Sequence, residues 1–247
     1  MIRRILFVTL LSSFLSAFAQ EYKISGTIAG LENENLYLLR LMGEKRSVVD
    51  TAQTDLTGSF TYVMPDNREA GMYVIVKGPG RAVELIYNKE NIQFTTSGFD
   101  NEDGIQIISS IENLIYYDYL AIKGMNMYKI EVLGNLIHNY PPNDEFFLDA
   151  IKQYNLLKNQ LNTRTDVLIE NNPLTLAARY LKADRSLIVD PTLPEYEKGV
   201  YLKKHYFDNV DFNDTMLIKS TFLTSKAVGY LSLFQNDANS QEELEDF

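Results

Sequence analysis

From Glu21 to about Gly98 the chain alternates between apolar and polar side chains in steps of two. Tyr22, Ile24, Gly26 and Ile28 fall on one side of the alternation and Lys23, Ser25 and Thr27 on the other, which predicts a strand with one buried face. Similar segments follow at Leu36 to Leu41, Arg46 to Thr54, Ser59 to Met64, Met72 to Lys77, Ala82 to Tyr87 and Ile92 to Thr96. Turn chemistry separates them: Gly30, Met42-Gly43, Asp55 to Gly58, Pro65-Asp66-Asn67, Gly78-Pro79-Gly80, and Asn88 to Asn91. Short strands spaced this evenly predict an antiparallel sandwich or barrel. The connections are too short for parallel crossovers, which need about a dozen residues or more.

At about Gly104 the period changes to that of a helix. Ser109 with Glu112 forms a capping-box pattern opening a long helix to about Tyr140. Gly124 and Gly134 each weaken it by roughly 1 kcal/mol against alanine and mark places where it can bend. Pro141-Pro142 ends it, and Asn143 or Asp144 caps a second helix whose Phe147, Ile151, Tyr154, Leu157, Leu161 and Leu168 share one stripe. Antiparallel packing of the two would bury both stripes. Asn172 and Pro173 supply a cap and a first-turn proline for a third helix through about Ala183. After a bend at Asp190 to Pro194, helices are expected over Glu195 to Phe207 and Asp214 to Phe234, the latter interrupted near Lys219 to Thr221. Ser240 and Glu243 repeat the capping-box signal, so a helix beginning at Gln241 meets Phe247 after barely two turns. That end predicts an incomplete helical domain, with Leu217, Phe222 and Leu231 left wet on the stripe before it.

The expected class is α+β: an N-terminal antiparallel β-sandwich followed by an all-α, incomplete helical domain. The divisions this reading implies are a signal peptide over 1–19, the sandwich over 20–103, a helical hairpin region over 104–190 and a second helical region over 191–247.

The first of these divisions is an address. Arg3 and Arg4 precede an apolar run from Ile5 to Leu15, and Ala17 and Ala19 bracket Phe18 in the A-x-A pattern that signal peptidase reads. The run is shorter than the roughly 20 residues a spanning helix needs, so cleavage after Ala19 is expected, leaving Gln20 first. No later stretch is apolar enough to span. The chain has no cysteine, hence neither disulfides nor the lipid-accepting cysteine of a bacterial lipoprotein. The expected location is therefore periplasmic, with no membrane contact after cleavage. Losing two of the 23 basic residues shifts the formal charge from −10 to −12, since Asp and Glu number 33. Nucleic acid and anionic lipid, whose partners need a basic footprint, are not expected to bind.

Candidate chemistry is thin. His138 and His205 stand far apart with no cysteine to complete a zinc set, so no metal site is expected. Asp100 to Gly104 clusters oxygens, but its glycine comes one place early for a helix-loop-helix calcium loop and Ile111 stands where the closing carboxylate belongs. Asp208, Asp211 and Asp214 lack that glycine, so turn and cap duty is the expectation for both clusters. No G-x-S-x-G, Walker loop or H-E-x-x-H occurs, and Gly78-Pro79-Gly80 is too short to cradle phosphate. Paired carboxylates of a glycosidase are assembled by folding and leave no sequence spacing to read. Catalytic, cofactor-binding and metal residues are accordingly assigned to none, and no cofactor is expected. Tyr116, Tyr117 and Tyr119 crowd one helix, either as edges of a core or as an aromatic docking surface.

The segments YKISGTIAGLENENLYLLRL, SVVDTAQTDLTGSFTYVMP and MYVIVKG resemble the small β-sandwich of unknown function that precedes thioredoxin-like domains in secreted thiol-disulfide oxidoreductases of Gram-negative bacteria. The resemblance covers about residues 21 to 98 on diffuse motifs. The stretch His205 to Leu231, chiefly through HYFDNVDF, is similar to a helical domain of unknown function found between that sandwich and the thioredoxin-like domain. In that family a C-x-x-C redox domain follows, and this chain holds no position matching its cysteines. What the resemblance implies is a non-catalytic accessory region that positions a thioredoxin-like domain or docks an envelope client. The alternative reading is a cell-envelope binding module for a glycan, peptide or small ligand, with a hydrolase behind both.

Overall fold

The computed structural model describes residues 21–78, 82–98, 104–142 and 144–234. The signal segment, Pro79 and Gly80, the acidic run 100–103, Asn143 and the capping box at Ser240 lie outside the described residues.

The strands predicted from the alternation all form: β1 (Tyr22–Ile28), β2 (Asn35–Met42), β3 (Lys45–Gln53), β4 (Ser59–Met64), β5 (Gly71–Val76), β6 (Val83–Tyr87) and β7 (Ile92–Thr96). An eighth, β8 (Ile105–Ser109), stands where the helical half was expected to open. IQIIS reads equally as strand or helix start, and pairing with β7 decides it. The sheets run β4-β1-β7-β8 and β3-β2-β5-β6. Pairings are antiparallel except β1 with β7, which is parallel. Turn lengths excluded only parallel neighbours joined directly; these two strands are brought together by the whole length of the sandwich between them.

Between the sheets lies the first core, with Ile24, Phe60, Tyr62, Tyr73, Leu85 and Phe94 among its buried members. Gly26 has room for no side chain, because a Cβ would approach the Phe60 and Phe94 rings to 2.9 and 3.0 Å. Those rings pack edge to face at 5.9 Å. At the β3–β4 turn Asp55 accepts from the backbone N–H of Thr57 and Ser59 at 2.7 and 3.0 Å, and Gly58 takes a φ of 78°.

Helix α1 (Ile111–Asn139) runs unbroken through Gly124 and Gly134, and α2 (Glu145–Asn171) returns along it. Asp144 caps α2, its carboxylate accepting from Phe147 N at 2.7 Å. The expected stripe carries the hairpin's own core, where Tyr154 and Leu161 meet Ile122, Ile130 and Ile137. Helix α3 (Leu176–Asp184) begins later than Asn172 suggested, because Thr175 caps it and Asn172 instead closes α2. Helix α4 (Glu195–His205), a 3₁₀ turn (Leu217–Lys219) and α5 (Phe222–Ser232) complete the described chain. The helix expected from Asp214 is corrected to this 3₁₀ turn, and the interruption foreseen near Lys219 to Thr221 is the step from it to α5.

The expected wet stripe is corrected. Leu217 is 2% exposed and Phe222 8%, and only Leu231, at 66%, faces water. The two buried residues sit in a second core with Leu41, Met72, Val74 and Ile86 of the sheet and Tyr180 of α3. The outer face of sheet β3-β2-β5-β6 is thus covered by helices over β5, β6 and the end of β2, and β3 stays open.

Candidate functional site

The junction of sandwich and helices holds the densest buried polar chemistry among the described residues. Strand β6 is an edge of its sheet, so its outward N–H and C=O groups need partners. Asn113, fully buried, supplies them: its Oδ1 accepts from Ile86 N and its Nδ2 donates to Ile86 O, each at 2.8 Å. The Tyr117 hydroxyl donates to Glu84 O at 2.8 Å, one pleat along the same edge. Helix α1 therefore closes the sheet in place of another strand.

Its start is held by a carboxylate from the β6–β7 turn. Glu90 accepts from Ile111 N and Glu112 N, each at 3.1 Å, and from the Ser110 hydroxyl. Ser110 is the N-cap, its oxygen accepting from Asn113 N at 3.0 Å, which moves the cap one residue beyond Ser109. With the cap occupied, Glu112 turns elsewhere. At 3% exposure it accepts from Leu176 N at 3.1 Å, Ala177 N at 2.7 Å and the Asn88 side chain at 2.7 Å. Thr175 takes Ala178 N at 3.1 Å, so three first-turn N–H groups of α3 have partners. A carboxylate here also opposes the positive end of the α3 dipole.

The tyrosine trio belongs to this junction and forms no free docking surface. Tyr116 donates to Glu84 Oε2 at 3.1 Å, and Tyr119 donates to Asp184 Oδ2 at 3.0 Å. Burial first, and then the nearby carboxylate, raises both phenols above their ordinary range. The chain beyond α4 is attached as well. Gly43 N donates to Ile218 O at 2.7 Å, and the Lys219 ammonium meets Glu69 at 2.9 Å.

Two clefts open beside the junction. The first, about 370 Å³, is lined by Arg179, Lys182, Asp211, Asn213 and Asp214 among others. Its charges are already matched, for Arg179 holds Asp214 through both carboxylate oxygens. The second, about 290 Å³, lies where Lys123, Asp184, Arg185 and Lys226 come together, with Leu202 and Tyr206 beside them. Lys123 pairs with Asp184 at 2.6 Å and Arg185 with Asp166 at 2.8 Å. Lys226 instead donates to the backbone carbonyls of Arg185, at 3.0 Å, and Tyr206, at 3.5 Å. Burial lowers its ammonium from the ordinary lysine range, Asp184 raises it and Lys123 lowers it further.

The remaining sequence candidates disperse. His138 lies 3.5 Å from Glu195, while His205 meets Asp208 at 2.7 Å and stacks on Tyr201 at 4.5 Å. Asp211 closes a turn onto Asn213 N at 2.9 Å, and Asp214 accepts from Met216 N at 2.9 Å. These are turn and cap duties, as expected. Among the described residues no three His, Cys, Asp or Glu side chains gather as a metal ion requires, and no helix is long and apolar enough to cross a membrane.

Sequence reading missed Asn113, Glu90 and Lys226, and gave Glu112 the capping of its own helix where the structure has it cap α3. A signal was present for two of them: Glu112 aligns with Ile115 and Tyr119, and Asn113 with Tyr116, on the stripe that faces the core. Polar residues on such a stripe require buried partners.

No curated protein matches the chain. Residues 22–124 match a family described as a domain of unknown function (DUF4369), and residues 186–247 match another domain of unknown function (DUF5106). The first runs through the sandwich into α1; the second holds α4, the 3₁₀ turn and α5. The sequence therefore contains two domains of unknown function, one on the sandwich and one on the C-terminal helices, and neither description refers to a thioredoxin-like protein.

Proposed function

We propose that this chain is a non-catalytic positioning and docking region of an envelope thiol-disulfide protein, presenting a thioredoxin-like domain or its client at a fixed attitude. One observation carries the reading: the two matched domains share a core. Leu217 and Phe222 of the second pack on Leu41 and Met72 of the first, and the Gly43 to Ile218 hydrogen bond crosses between them. A hinge between domains would leave this surface solvated; a spacer of fixed geometry buries it. The thiol-disulfide assignment rests on the resemblance of YKISGTIAG and HYFDNVDF to regions upstream of redox domains, and the envelope location on the Arg3 to Ala19 pattern. Thiolate attack needs a sulfur this chain does not supply, so the chemistry belongs to a partner domain.

Reading the nucleotides beyond codon 247 tests this. An open frame continuing into a C-x-x-C domain, whose product reduces insulin disulfides while residues 1–247 do not, is the expected result. A stop codon with no neighbouring thioredoxin-like gene, or insulin reduction by the purified 247-residue chain itself, would overturn it. Protein recovered from the envelope should begin at Gln20; an intact mass retaining Met1 would contradict the address.

A further inference from the structure

The cleft at Lys226 is electrically unfinished. Three cations, Lys123, Arg185 and Lys226, line it with one carboxylate, Asp184, which pairs with Lys123; Asp166, outside the lining, pairs with Arg185, and Lys226 is the cation left over. Among the described residues Lys226 has no carboxylate within 4.0 Å, and its hydrogen bonds go to two backbone carbonyls. A half-buried ammonium without a counter-ion is costly, and an acidic protein had ten surplus negative charges from which to supply one. Leu187, Leu202 and Tyr206 supply apolar lining, and the Lys226 ammonium lies over the Tyr206 ring at 5.1 Å.

We infer that this cleft binds a small organic monocarboxylate, its carboxylate on Lys226 and its apolar chain along Leu187, Leu202 and Tyr206. The charge count selects a monoanion: one negative charge balances the surplus cation, whereas the two of a phosphate dianion overshoot it. The volume of about 290 Å³ lies just below the usual range of ligand clefts and admits only a short chain. Ser186 and Ser225 line the same cleft, and a serine hydroxyl there is the donor expected for the second carboxylate oxygen. This site goes beyond the positioning role and does not depend on it.

Titration of the purified chain with sodium hexanoate, acetate, inorganic phosphate and 1-hexanol tests it, read by calorimetry and by the Lys226 side-chain amine signal in NMR. Hexanoate is expected to bind saturably, about tenfold or more tighter than each of the others, and to move the Lys226 signal. Lys226→Met should lose at least about tenfold in hexanoate affinity, Lys226→Arg should retain part of it, and Lys45→Met, on the far β3 edge, should bind as the parent does. If Lys226→Met does not fold, the discrimination among the four probes and the Lys226 signal still decide. Hexanol binding as tightly as hexanoate would reduce the cleft to an apolar groove, phosphate binding as tightly would defeat the charge count, and no saturable hexanoate binding would end the proposal.

Discussion

The two sheets of the sandwich have the same number of strands and opposite surroundings. In β4-β1-β7-β8, strand β1 buries Ile24, Gly26 and Ile28 and leaves Lys23, Ser25 and Thr27 on the outer side, and β4 leaves Thr61 and Val63 exposed. In β3-β2-β5-β6, strand β5 buries Tyr73 and Ile75 in the sandwich and Met72 and Val74 under the helices. One sheet keeps a face for water; the other is covered by helices on its outer side at β5, β6 and the end of β2, while its β3 edge stays open, with Val48 60% exposed. The lesson is that the covered sheet is the anchoring surface, and that this chain's two domains are joined by a core as well as by the chain.

The comparison is broken most severely by placing a charge on the covered face. Val74→Asp should destabilise the protein by roughly 4 kcal/mol or more, since the carboxylate would be buried without a partner. The same change on the open sheet, Thr61→Asp, should stay within about 0.5 kcal/mol. Urea midpoints followed by circular dichroism measure both.

Next come the polar clasps. Asn113→Ala leaves the N–H and C=O of Ile86 unpaired on a buried edge and should cost about 3 kcal/mol. Glu112→Gln replaces one acceptor oxygen by an amide that faces the α3 N–H groups, for roughly 2 kcal/mol. Equal midpoints for either variant and the parent would show that water reaches the junction.

Much of this was legible. Strands β1 to β7 announced themselves because each is a short apolar-rich run, often alternating with polar residues and bounded by turn residues, and that pattern is local. Even β5 was placed correctly, although MYVIV is nearly all apolar: its turn-forming neighbours bounded it. What escaped was decided at long range. β8 is a strand because β7 lies beside it, and β1 pairs in parallel with a strand more than sixty residues away. Glu112 has the right residue type for a capping box, but with Ser110 as the cap it falls at the second helical position, and Glu90, brought in by the β6–β7 turn, takes the first two N–H groups of the helix. The stripe through Leu217 and Phe222 was recognised as apolar; its cover was sought in a segment after it and was found in the sheet before it.

The smallest effect sharpens the account at its rim. Burial pushes the Asp214 carboxyl up, but the hydrogen bond from Arg179, the Met216 N–H and the Arg179 charge together hold it below the ordinary 3.8. A carboxyl depressed by folding stabilises the protein above its unfolded value, and that contribution is lost as pH falls through the folded value. Asp214→Asn should therefore be less stable than the parent at neutral pH, with the gap closing in acid. Urea midpoints taken from neutral pH down through the carboxylate range measure it, and a gap that stays constant would remove this pair from the account.

The central claim, that sandwich and helices share one fixed attitude, is tested most directly by a distance. The chain has no cysteine, so Thr61→Cys on the open sheet and Ala227→Cys on α5, both exposed positions, give two spin labels and no others. Double electron-electron resonance on this pair should yield one narrow distance distribution, which broadens when Asn113→Ala or Glu112→Gln is added. A broad or two-peaked distribution in the otherwise unaltered chain would contradict the account, for it would mean that the helices move over the sheet they cover.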